Sequence, residues 1–193
     1  MPNPSKELFY RTVYKTLNRK KYKKTLDIGC GHFDLLKNIS TRKYNGIDIL
    51  DYKMDIGKNA YYKKVDFNKF QTQDKFDLIV IHNTINYNGY YDIKKFKKNF
   101  EKMNLLLSKD GYLSFNFGHR NQEGYNKINQ FVLNNHKKYN LSIVKKFNYG
   151  LFHYVTNPYL YKLILGLILL FPILDRNHFN QKFKYFLLKK TKP

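Results

Sequence analysis

The chain has 193 residues, with 36 Lys and Arg against 14 Asp and Glu, for a formal net charge of +22. A length near that of one domain can bury a core without disulfide or metal support, and 42% hydrophobic with 18% aromatic residues excludes a disordered chain. The single cysteine, Cys30, excludes an internal disulfide, and the region after Met1 lacks the basic-then-apolar pattern of a signal peptide, so a reducing cytoplasm is expected.

The positive charge would attract nucleic acid or an anionic lipid surface. Lys, Asn, Ile, Tyr and Phe are all encoded by A/T-rich codons and all abundant, so genome composition accounts for the lysines equally well. They are spread along the chain rather than gathered in a block. Charge alone selects no partner.

In chain order, Phe9, Val13 and Leu17 recur at four-residue spacing and predict an amphipathic helix over 5–17, with Ser5 a candidate cap. A strand over 24–28 stops at Gly29-Cys30-Gly31, and a short helix is expected through Leu35, Leu36 and Ile39. Further strands are expected at 44–49, at a run ending in Val65-Asp66-Phe67, and at 76–81, whose unbroken Phe-Asp-Leu-Ile-Val-Ile suits a parallel strand buried on both faces. Ile93, Phe96, Phe100, Met103 and Leu107 step by three and four and predict a helix over 92–107. Asp110-Gly111 then launches a strand at 112–117, Tyr125, Ile128 and Val132 mark a helix, and 141–147 reads as a strand. The twelve apolar residues 163–174 are too few to span a bilayer. The run 183–188 is expected to close the sheet as an antiparallel strand.

Repeated alternation of strand and helix predicts a three-layer, doubly wound α/β fold: a mostly parallel, seven-stranded sheet with a helical insertion before the last strand. Ligands are expected beyond the carboxyl ends of the strands. One domain over 1–193 is expected, divided into an N-terminal helix (1–21), a core (22–150), an apolar insertion (151–180) and a last strand (181–193).

Asp27-Ile28-Gly29-Cys30-Gly31 lies between a strand and a helix, where glycines let the backbone turn sharply and approach a ligand. It resembles motif I of class I S-adenosylmethionine-dependent methyltransferases. The resemblance implies that Gly29, Cys30 and Gly31 cradle the methionine part of S-adenosyl-L-methionine, with Asp27 orienting its amino group. Where the family often has a third glycine, this chain has Phe33. The rival dinucleotide fingerprint, Gly-x-Gly-x-x-Gly, would place a glycine at Asp34, and a carboxylate there repels a pyrophosphate but not a phosphate-free cofactor.

Asp48 ends the second strand, 17 positions after Gly31. By the same resemblance it accepts from the ribose hydroxyls, with Ile49 beside it, while Asp66 and Phe67 serve the adenine. Each acid alone is more often a turn former or helix cap. The run from Phe76 to His82 and Asn83 resembles motif IV, which adds His82 and Asn83 to the cofactor site. It lacks the Asn-Pro-Pro-Tyr type of sequence found in enzymes that methylate the amino groups of DNA bases. Leu105-Leu106-Leu107 through Leu113 resembles the family's leucine-rich helix, turn and fifth strand.

A hydroxyl acceptor would need a base, for which His82 is the first candidate and His119 the second; the competing reading is an ordinary polar residue at a strand end, since many methyltransferases work by alignment alone. No cysteine pair exists and the six histidines are dispersed, so no metal is expected. The segment 158–174 is a lid over an apolar substrate, a monotopic anchor flanked by Lys162 and Arg176 that gives peripheral contact with anionic membrane, or packed core. The expected activity is methyl transfer to a hydroxyl or similar nucleophile of a small, lipid-like or glycan-precursor substrate. An RNA methyltransferase and a non-catalytic binding module stand as alternatives.

Overall fold

The computed structural model describes residues 4–52, 57–82, 92–118, 122–149 and 183–191, together with Leu160, Leu163, Leu167 and Leu170. The strands are β1 (Lys21–Ile28), β2 (Ser40–Asp48), β3 (Ala60–Lys64), β4 (Phe76–Ile81), β5 (Leu107–Gly118), β6 (Leu141–Tyr149) and β7 (Phe183–Lys190). They form one seven-stranded sheet in the order β3-β2-β1-β4-β5-β7-β6. Strands β1 to β5 run parallel, and β7 inserts antiparallel between β5 and β6, so the expected closing strand is present. The strand order reverses between β1 and β4, which opens a crevice at their carboxyl ends.

Among the described residues, helices of fourteen residues are α1 (Pro4–Leu17), α2 (Ile93–Leu106) and α3 (Gln122–Asn135). The Asp92 carboxylate caps α2 by accepting from the backbone N–H groups of Lys94 at 2.8 Å and Lys95 at 3.2 Å. The predicted stripe of Phe96, Phe100 and Met103 is buried against the sheet. Residues of β4 alternate between two cores: Ile79 and Ile81 join the α2 and α3 side, while Leu78 and Val80 join Val13 and Leu17 of α1 on the other. Two-sided burial is why this strand reads as unbroken hydrophobic sequence.

Several boundaries differ from expectation: β1 and β2 begin earlier, at Lys21 and Ser40, and β6 and β7 run on to Tyr149 and Lys190. Helix α1 opens at Pro4 with Ser5 inside it, since proline suits a first helical position that needs no N–H. The helix expected after Gly31 is a single 3-10 turn, Leu36–Asn38. Strand β3 ends at Lys64, before the Val65-Asp66-Phe67 run assigned to it. Asp110-Gly111 lies within β5 rather than before it, where the β4 ladder slips from Phe76↔Leu107 to Leu78↔Tyr112 and Asp110 adopts φ 62°.

Candidate active site

The turn after β1 is built from left-handed backbone: φ is 72° at Gly29, 49° at Gly31 and 61° at Phe33. Phe33 therefore holds the conformation expected of the missing third glycine, at a cost that its packing offsets. Its ring is buried, edge-on to Tyr44 at 6.1 Å and Tyr62 at 5.5 Å. Gly46 of β2 makes room for this arrangement, because a Cβ there would lie 2.8 Å from both Cys30 Sγ and Phe33 Cε1.

Strand β2 also fixes the turn by hydrogen bonds. The N–H groups of Gly29 and Cys30 donate to the Ile47 carbonyl at 2.7 and 3.2 Å. The N–H of Gly31 donates to Asp48 Oδ2 at 3.1 Å, and that of Leu50 donates to Asp48 Oδ1 at 3.0 Å. Each carboxylate oxygen thus spends one lone pair on backbone and keeps another for a ligand.

Asp27 is buried at the end of β1 and accepts a hydrogen bond from the Tyr44 hydroxyl. Burial pushes its carboxyl up to about 7, with Asp48 and Asp34 adding in the same direction and the Tyr44 bond opposing. Asp66 sits in a tight turn, where Oδ1 accepts from the backbone and side-chain nitrogens of Asn68 at 2.8 and 2.7 Å; these bonds hold its carboxyl below the usual range. Lys102 of α2 clamps the same turn by donating to the Phe67 carbonyl at 2.6 Å.

His82, just past β4, packs its ring against Tyr185, and its Nε2 lies 2.9 Å from Ser114 Oγ, itself 3.0 Å from the Tyr185 hydroxyl. Burial drives its pKa down to about 3, so the ring stays neutral at physiological pH.

These groups converge on one cavity of about 500 Å³. Of the residues singled out in the sequence, Asp27, Gly29, Cys30, Gly31, Asp48, Ile49, Asp66, Phe67 and His82 line it. His119 and Asn83 lie outside the described residues. Sequence reasoning missed Tyr10 of α1, Tyr52, Asp92, Lys95 and Met103, which also face the cavity. Only Met103 carried a signal, as part of the apolar stripe of α2. Among the described residues, the wall holds Asp27, Asp34, Asp48, Asp66 and Asp92 against the single lysine Lys95.

No protein-family model and no curated protein sequence matches the chain. Solved structures do match. N-methyltransferase NodS from Bradyrhizobium japonicum WM9, in complex with S-adenosyl-L-homocysteine, superposes with TM-score 0.66 at 14% identity over 98% of this chain and 89% of that one. The fold is that of the class I S-adenosylmethionine-dependent methyltransferases. The plantazolicin methyltransferase BpumL, bound to a monoazolic desmethylPZN analog and S-adenosyl-L-homocysteine, matches with TM-score 0.60 at 16% identity over 98% and 85% of the two chains. An S-adenosylmethionine-dependent methyltransferase from Clostridium acetobutylicum ATCC 824 matches with TM-score 0.59 at 12% identity over 98% and 92%. In the methyltransferase fold of this chain, the cavity occupies the crevice at the strand-order reversal.

Proposed function

We propose that the chain is an S-adenosyl-L-methionine-dependent methyltransferase of the cytoplasm, acting on a hydroxyl or similar nucleophile of a small, lipid-like or glycan-precursor substrate. The observation that carries this reading is the charge of the cavity. In a chain of net charge +22, five aspartates line it against one lysine among the described residues, and four remain when Asp27, whose carboxyl burial pushes up to about 7, is set aside. Such a wall favours a cation and repels the pyrophosphate of a dinucleotide. S-adenosyl-L-methionine is a phosphate-free nucleoside with a sulfonium and an ammonium group, and the residues present fit it. Asp48 would hold the ribose, Asp66 and Phe67 the adenine, and Asp27 with the Gly29 to Gly31 turn the amino-acid end.

When bound, this cofactor supplies an activated methyl group, so the work left to the chain is to hold and align the acceptor. His82 serves that work as a neutral hydrogen-bonding ring. A small acceptor is supported by the size of the cavity and by its acids, which oppose entry of a phosphate backbone. NodS is an N-methyltransferase, so an amine belongs among the nucleophiles considered. Calorimetric titration with S-adenosyl-L-homocysteine and, separately, with NAD tests the reading. Saturable binding of the first and none of the second is expected; the reverse pattern overturns it.

A further inference from the structure

Leu160, Leu163, Leu167 and Leu170 are all helical, and all are exposed, from 42% at Leu167 to 74% at Leu170. Their spacing of three, four and three residues places them along one face of a helix. A helix face turned to water carries polar residues, yet all four of these exposed positions are leucine. A stripe of this kind marks a site of apolar contact.

We propose that this helix lies in the surface of an anionic bilayer, with the four leucines entering the acyl boundary. Two observations choose lipid over other partners. The stretch is too short to cross a bilayer, and among the described residues no helix is long and apolar enough to do so, which leaves a helix lying in the plane. The chain as a whole is strongly cationic: Lys162 precedes the run, Asp175 and Arg176 follow it, and of only 14 acids five line the cavity. A cationic protein with an exposed apolar helix presents both forces that bind an anionic interface. Leucine side chains offer nothing to a nucleic-acid phosphate, so the stripe favours lipid over RNA. The inference is independent of the cofactor assignment, because binding to lipid can be measured without any cofactor.

The chain has no tryptophan, so Leu167→Trp places a single fluorescent probe on the stripe. With vesicles of phosphatidylglycerol and phosphatidylcholine, the full-length protein is expected to cosediment, and the Leu167→Trp emission to shift to the blue. The paired change Leu163→Ser with Leu170→Ser should weaken vesicle binding about tenfold or more, while circular dichroism shows it folded. Any of four results overturns the proposal: no sedimentation and no emission shift with anionic vesicles, equal binding by the folded serine variant, a dimer in solution that the serine changes dissociate, or capture by RNA in place of vesicles at the same salt.

Discussion

The backbone N–H of Gly31 donates to Oδ2 of Asp48 at 3.1 Å, so the glycine turn after β1 and the acid that closes β2 form one unit. Removing the carboxylate takes away both a ligand acceptor and the brace on the turn. Asp48→Ala should cut affinity for S-adenosyl-L-homocysteine by about 1.5 to 3 kcal/mol, the range for charge-assisted hydrogen bonds, as read by calorimetry. Asp48→Asn, which keeps an acceptor for Gly31, should lose less. Unchanged affinity in the alanine variant would place the ribose elsewhere.

The buried Asp27 carboxyl titrates near 7 against 3.8 when exposed, so the folded chain holds a proton that the unfolded chain gives up. The resulting stability is fully present below about pH 4 and lost as pH rises through about 7, and amounts to about 4 kcal/mol. His82, lowered to about 3, works in the opposite direction, with a contribution that is lost as pH falls from 6.5. Comparison with Asp27→Asn isolates the first effect. The urea midpoint of the unaltered protein, relative to that variant, should decline from pH 4 to pH 8, and a flat difference would remove the assignment.

Phe33 stands at φ 61° with its ring buried. Glycine would relieve about 1 to 2 kcal/mol of backbone cost but forfeit about 3 to 5 kcal/mol of aromatic burial. Phe33→Gly should therefore destabilise by about 2 kcal/mol, and Phe33→Ala, which keeps the strain without the ring, by more. Urea unfolding of the two variants decides; alanine equal to or better than glycine would mean that the backbone is not strained there.

With a pKa near 3, His82 is protonated to a negligible extent above pH 5. The pH profile of kcat should accordingly show no limb between pH 5 and 8 that disappears in His82→Gln. Tyr185→Phe, which removes the hydroxyl behind Ser114, should lower kcat more than it alters KM for cofactor. A limb abolished by His82→Gln would restore the general-base role.

Much of the fold was legible because its signals are periodic. The unbroken apolar run of β4 and the three-four stripe of α2 each report burial in a repeating geometry, and β7 announced itself by the apolar run Tyr185 to Leu188, which is buried throughout. The acids of the cavity were legible because strand ends and a glycine turn fix where they sit. What escaped notice depends on pairs far apart in sequence: the Tyr44 hydroxyl on Asp27, Tyr10 in the cavity wall, and the contact of His82 with Ser114, 32 residues on. Such contacts leave no periodic trace. The left-handed backbone at Phe33 was hidden for another reason, since a bulky residue there is chosen by its packing against Gly46 rather than by its conformational preference.

The connection from β1 to β2 shrinks to one 3-10 turn, Leu36–Asn38, where a doubly wound fold ordinarily spends a full helix. Without that cylinder of aligned peptides, the glycine turn after β1 lacks the partial positive charge of a full helix start, and the attraction that lets related folds seize phosphates at that turn is lost at its source. Economy in eleven residues thus removes one anion-attracting element beside the glycine turn before any side chain is considered.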